Sequence, residues 1–389
     1  MNPAPTRPPS SRPLSAHRAP WTRWLMLASA CWVAAACATV SPYEPLDRAA
    51  LNEVLEERGL DPASVVLPYR VDESMVAWAR ERVPVKAPKE EQLEALAGAL
   101  LDPGEMEVRY SWGVTGTATD VFHDRVANCL AFTNLFLGLS RELDLPVYFL
   151  AVENVEAFRR EGDLVVVSDH VAVGYGDAVD RKIFDFSDRP AETIRVVRRL
   201  ADLTAIAMFH SNRGAESLQR GAVDDALDWL QVAVAIDPGL ATAWVNYGVA
   251  LRRAGQRDAA EAAYHEALSR DPRQASAYQN LASLLRSDGR DVEAEQFEQA
   301  LARTPGRNPY TFLRLGDIHL RQGRLDEAER FYRRAASLTD ADPEPYAALG
   351  QLAIAVGDLR QARRMLRKAR DLEQPDRRTD ALAAALSGG

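Results

Sequence analysis

The stretch WVNYGVALRRAGQRDAAEAAYHEALSRDP, residues 244–272, decides how the second half of the chain is read. Its small residues recur upstream and downstream at a fixed period of 34 residues, and its closing Pro272 recurs upstream. Gly214, Gly248, Ala282, Gly316 and Gly350 form one register. Ala226, Ala260, Ala294, Ala328 and Ala362 form a second, and Gly221, Gly255, Gly289, Gly323 and Gly357 a third. Trp244, Tyr278, Phe312 and Tyr346 sit four places before the first register, and Pro238 and Pro272 close the first two units. A fixed period of this length means a stacked array of helical hairpins. Small residues in the first two registers let the helices of a hairpin approach closely. The third register falls where the chain leaves the first helix and must turn, a place that often needs φ > 0. No single hairpin can bury its apolar face, so the copies must stack.

The pattern resembles the tetratricopeptide repeat, in five copies over residues 206–374, with a capping helix and tail at 375–389. The resemblance implies an all-α solenoid that binds a protein or peptide. Asn212, Asn246 and Asn280 share one repeat position, followed there by Arg314. An asparagine ladder with an arginine can hold an extended peptide backbone or its carboxylate. His210 and Arg213 stand where bulky apolar residues are usual in the first copy, which suits a junction with a preceding domain.

The N-terminus is of another kind. Residues 1–23 carry Arg7, Arg12, Arg18 and Arg23 and no acid, and an apolar run follows from Trp24 to Ala36. The run is short for a membrane span and suits the apolar core of a signal peptide. Ala34-Ala35-Ala36-Cys37 resembles the lipobox of bacterial lipoproteins. The resemblance implies a signal peptide over 1–36, lipid on Cys37 and a linker over 37–44. With Ala38 next, it implies attachment to the outer membrane, facing the periplasm. Without its four arginines the chain keeps 43 basic residues against 56 acids, a net charge of −13. An acidic chain with no basic tract argues against a nucleic-acid partner. Cys31 would leave with the signal and Cys37 would carry lipid. Cys129 is then a single thiol in an oxidising compartment, where cysteines normally pair.

Between the linker and the repeats, residues 45–205 read as α+β. Helices are expected at 45–59, 71–82, 89–101 and 129–143, the last from Phe132, Leu135, Phe136, Leu139 and Leu143 at helical spacing. A short strand is expected over 107–113, then strands at 147–152, 164–167, 170–175 and 182–186. Helices followed by a run of strands suggest an antiparallel sheet. A symmetric hairpin around GYGDAVDR would oppose Ala172 to Ile183 and His170 to Asp185. Opposed residues have Cβ atoms about 4.5–5.5 Å apart, so an imidazole would meet a carboxylate that orients it. Cys129 begins a helix, where the macrodipole and a histidine partner both favour the thiolate.

NCLAFTNLFLGLSRELDLPVYFLAVE, then SDHVAVGY, then KIFDF resemble the transglutaminase-like branch of the papain-like fold. Its order is cysteine at a helix start, histidine on a strand and aspartate on the next. Cys129, His170 and Asp185 match it. The resemblance implies acyl transfer at an amide or ester, as cross-linking, deamidation or peptide-bond hydrolysis, without a cofactor. Hydrolysis is expected ahead of cross-linking, since water is the default acceptor and no amine pocket is readable. Oxyanion donors lie upstream of the cysteine in relatives, and Trp112, His123 and Asn128 are the candidates here. No tight ligand spacing points to zinc. The rival reading is a fold that keeps the constellation without activity and serves as an interaction scaffold at the cell envelope.

Overall fold

Helix α1 (Arg48–Glu57) starts at Asp47, whose carboxylate accepts the Ala50 N–H at 2.8 Å. Helix α2 (Glu73–Arg82) starts the same way at Asp72, and α3 is Lys89–Leu101. Such caps satisfy amide groups that a helix start leaves without intrahelical acceptors. The computed structural model describes residues 47–111, 113–161, 164–177, 180–186, 197–303, 308–339, 342–372 and 376–387. The expected signal segment, Cys37 and Trp112 lie outside the described residues.

A two-residue strand β1 (Arg109–Tyr110) pairs in parallel with β2 (Val126–Ala127), on either side of α4 (Ala118–Asp124). Helix α5 (Cys129–Glu142) follows directly. Its residues 129–140 are all buried. A helix covered on every side is the centre of a core, not an amphipathic surface element. Met75, Leu93, Leu96 and Leu100 from α2 and α3 pack in the same core, as do Val171 and Val173.

The sheet is antiparallel, in the order β5-β4-β3-β6. Strand β3 (Val147–Glu161) runs well beyond the six residues expected. The two strands expected at 164–167 and 170–175 are one, β4 (Leu164–Gly176). Strand β5 is Arg181–Phe184 and β6 is Val197–Arg199. The β3–β4 ladder is regular up to the pair Val152↔His170, then shifts before resuming at Ala157↔Ser168. Bulges of this kind re-aim side chains and occur next to active sites.

The register of the β4–β5 hairpin differs from the symmetric one. Gly174 opposes Ile183 and Val173 opposes Phe184, a slip of two residues. The turn is responsible. Gly176 has φ +85°, and a Cβ there would run into the Asp180 carbonyl, so the chain turns one residue later than a symmetric reading places it. An even slip keeps every side chain on its side of the sheet. His170 and Asp185 therefore remain neighbours, diagonal instead of opposed.

The helical array follows as five hairpins. They are α6 (Asp202–Gln219) with α7 (Val223–Ile236), α8 (Ala241–Arg253) with α9 (Arg257–Arg270), α10 (Ala275–Ser287) with α11 (Asp291–Arg303), α12 (Pro309–Arg321) with α13 (Leu325–Ala336), and α14 (Glu344–Ala355) with α15 (Leu359–Arg370). Helix α16 (Arg377–Ser387) packs on the last pair. The glycines of the third register have φ between +72° and +82°, the left-handed turn the period anticipates. The alanines of the second register are all fully buried. The described residues cluster as one compact unit, with α6 shared between the first core and the first repeat.

The first register makes a quantitative expectation possible. A Cβ on Gly248 would lie 2.5 Å from the ring of buried Tyr264, sixteen residues on. Gly316 meets Tyr332 in the same way. Gly248→Ala should destabilise by about 1–3 kcal/mol, the usual cost of overpacking a filled core. The third copy is the internal control, since it carries Ala282 in this register and a glutamate, not a ring, sixteen residues on. Urea unfolding of Gly248→Ala beside Ala282→Gly measures the difference, and equal midpoints would contradict the packing account.

Candidate active site

Each member of the site is placed by a different element. Asn128 caps α5, its Oδ1 accepting the Ala131 N–H at 2.8 Å, so Cys129 is the first helical residue. Strand β4 presents His170 at the break in the ladder. Asp185 follows β5 and is flanked by two phenylalanines. Phe186 stacks on Phe132 at 4.3 Å between centroids, and Phe184 on Phe136 at 5.0 Å. Both partners lie on α5, so the aromatic pairs dock the segment that carries the aspartate onto the helix that carries the cysteine.

The three groups come together. His170 Nε2 lies 2.7 Å from Asp185 Oδ1. The Cys129 thiol lies close enough to the same ring to favour its protonated form. With Nε2 taken by the carboxylate, Nδ1 is the nitrogen left to the thiol. Cys129 and His170 are 9% and 8% exposed, enough contact with solvent for a narrow approach only. Burial by itself would lower the His170 pKa. The hydrogen bonds to Asp185 and Cys129, and their charges, outweigh it and raise the imidazole to about 10. This is the signature of a histidine held as imidazolium between two acidic partners.

The oxyanion candidates divide. The Asn128 amide is committed: Oδ1 caps the helix and Nδ2 donates to Thr115 Oγ1 at 2.6 Å. His123 is exposed at the end of α4, against Phe122 and beside Asp72, and does not enter the charge environment of His170. Backbone N–H groups at the start of α5 have no intrahelical acceptor and are the donors the geometry offers instead.

The junction residues act as the sequence anticipates. His210 is buried and donates from Nε2 to the Val66 carbonyl at 3.1 Å. Arg213 reaches the Thr115 carbonyl at 3.4 Å and Glu216 at 3.3 Å. Along the repeats, the ladder residues sit deep in the array. Asn246 is fully buried and donates to Ser211 at 3.1 Å, and Asn280 is fully buried as well. Arg314 pairs with Glu298 at 3.2 Å, a carboxylate it shares with Arg286. Helices α6, α8 and α10, which carry the three asparagines, pack against β4. The sequence does not announce this contact, because nothing in it marks a hairpin long enough to reach the array.

Sequence models of the tetratricopeptide repeat match residues 246–309, 294–352 and 343–368. The array is built of tetratricopeptide repeats. Among solved structures, PilF of Pseudomonas aeruginosa is similar at 22% identity over 47% of this chain and 83% of its own, with a TM-score of 0.39. TTC0263, a tetratricopeptide-repeat protein of Thermus thermophilus, is similar at 23% identity over 47% of this chain and 97% of its own, with a TM-score of 0.37. YrrB, described as a tetratricopeptide-repeat protein with an unusual peptide-binding site, is similar at 19% identity over 46% of this chain and 92% of its own, with a TM-score of 0.32. No curated protein matches the chain. The tetratricopeptide matches leave the Cys129 region uncovered, so its chemistry rests on geometry.

Proposed function

We propose that the chain is a protein- or peptide-binding scaffold whose N-terminal part performs cysteine-dependent acyl transfer. The repeats support the scaffold, since arrays of this kind bind proteins or peptides. One observation carries the catalytic part: His170 is hydrogen-bonded to Asp185 at 2.7 Å and has the Cys129 thiol beside its ring. The order and placement of these groups fit a transglutaminase-like member of the papain-like fold.

In this reading the Cys129 thiolate attacks the carbonyl carbon of an amide or ester, and the oxyanion forms at the start of α5. The tetrahedral intermediate collapses, the C–N or C–O bond breaks, and His170 gives its proton to the leaving group. The product is a thioester on Cys129. Water, deprotonated by His170, then attacks the thioester carbonyl and releases the acid and the thiolate. An amine in place of water would cross-link instead. Asp185 holds the ring in one orientation. The test is capture of the thioester, which Cys129→Ala and His170→Ala should both abolish.

The low exposure of Cys129 favours a second reading, a scaffold that keeps the constellation closed and turns nothing over. The same thioester experiment separates the two.

Cell-envelope attachment through lipid on Cys37, at the outer membrane facing the periplasm, completes the proposal. Several acyl chains at about 0.8 kcal/mol per buried CH₂ make a durable anchor. Metabolic labelling with palmitate should mark the wild type and not Cys37→Ser. Equal labelling would end the lipid reading.

A further inference from the structure

We infer that Glu216, on the first repeat, is a positioning residue for Cys129. The inference rests on the acyl-transfer reading above and adds the repeat array to its site. Glu216 lies on α6 with its carboxylate turned into the junction, only 8% exposed. Its Oε1 accepts the Thr115 N–H at 2.7 Å, across 101 residues of sequence. Arg213, one helical turn earlier, donates to the Thr115 carbonyl and to the second Glu216 oxygen. The pair therefore grips both backbone groups of Thr115. Thr115, 1% exposed, turns its hydroxyl to Asn128 and accepts from Nδ2 at 2.6 Å. Asn128 in turn donates its own N–H to the Val114 carbonyl at 3.1 Å and caps α5 with Oδ1. The next residue is Cys129.

The line runs without a gap from the repeat to the first turn of the nucleophile's helix. The other end of α5 is tied to the same helix α6. Arg141 makes two 2.8 Å bonds to Asp202, a bidentate pair with a buried carboxylate. Helix α5 is thus held at both ends by the first repeat. A buried carboxylate is costly to keep unless its bonds are used. Here they set the tilt of the helix start, and with it the distance from Sγ to the His170 ring. The departures at His210 and Arg213 from the apolar repeat pattern belong to this junction.

The experiment uses full-length protein with Glu216→Ala, Glu216→Gln, Thr115→Val and Thr115→Ser. The readout is the rate of Cys129 alkylation by iodoacetamide from pH 5.5 to 9, with circular dichroism as the check on folding. Gln keeps an acceptor for the Thr115 N–H, and Ser keeps the hydroxyl for Asn128. Val removes that hydroxyl without touching the repeats, so it tests the line even where Ala perturbs the array. Glu216→Ala and Thr115→Val should each slow alkylation at pH 6.5 roughly fivefold, the size of one lost helix cap. Glu216→Gln and Thr115→Ser should restore most of the rate. Folded Ala and Val variants with the wild-type rate would overturn the inference alone. A wild type that alkylates like an ordinary thiol, slowly until about pH 8.5, would overturn the acyl-transfer reading and this inference with it.

Discussion

His170→Ala is expected to slow alkylation of Cys129 at pH 6.5 by about tenfold. An ordinary thiol, with pKa about 8.5, is about 1% thiolate two units lower. In the acyl-transfer reading an imidazolium partner favours the thiolate, with up to about a hundredfold more of the reactive form. Part of that gain is returned, because nucleophilicity falls with basicity at a slope of about 0.4–0.5. The balance is about one power of ten. The same pair leaves a mark on stability. The His170 pKa is raised from 6.5 to about 10 in the folded protein, by hydrogen bonds to Asp185 and Cys129 that outweigh burial. A raised pKa means the folded state holds its proton more tightly. Its contribution is complete below about pH 6.5, the unfolded value, and is lost as pH rises toward about 10. The urea midpoints of wild type and His170→Gln should therefore converge between these limits. A gap that stays constant over that range would deny the imidazolium.

Histidine 210 carries the second large effect, with the opposite sign. Burial pushes it down to about 4, opposed only partly by its bond to the Val66 carbonyl. Its Nδ1 has no hydrogen-bond partner among the described residues, and Phe209 and Trp229 lie against the ring at 5.6 and 5.1 Å. A proton on Nδ1 would place a charge and an unmatched N–H in the core. The unfolded chain takes that proton near pH 6.5 and the folded one resists until about 4. Stability is thus full above pH 6.5 and falls by about 3 kcal/mol as pH drops through 4, at about 1.36 kcal/mol for each pH unit that separates the two values. Carboxylates titrate in the same range, so the comparison is with His210→Leu. Between pH 7 and 4.5 the wild type should lose more than the variant by most of that amount. Parallel losses would show that the imidazole is not held neutral.

Much of the repeat array is legible in the sequence because its rules are local. A ring at one position demands a small residue sixteen places earlier, as Tyr264 does of Gly248, and a hairpin exit demands a left-handed residue, as at Gly255. The period exposes both. The triad is legible in composition and order, while the register that joins its last two members is not. That register depends on Gly176 and the Asp180 carbonyl, a contact that residue types do not announce. The slip of two is harmless to the site only because an even slip keeps the face. Phe184 and Phe186 carry a readable signal, two aromatics flanking the aspartate against Phe132 and Phe136 one turn apart. The Asn128 side chain is engaged at the helix start for a plain reason: an asparagine before a helix is first of all a cap. Glu216 is beyond the reach of the sequence, because its partner lies a hundred residues away in another element.

The central claim is that Cys129 forms a covalent acyl intermediate with help from His170. The most direct measurement is the intact mass of the full-length protein after brief incubation with p-nitrophenyl acetate and an acid quench. The account predicts a single acetyl group, mapped to Cys129, absent from Cys129→Ala and reduced to background in His170→Ala. An unmodified wild type, or acetylation of His170→Ala to the wild-type extent, would contradict it.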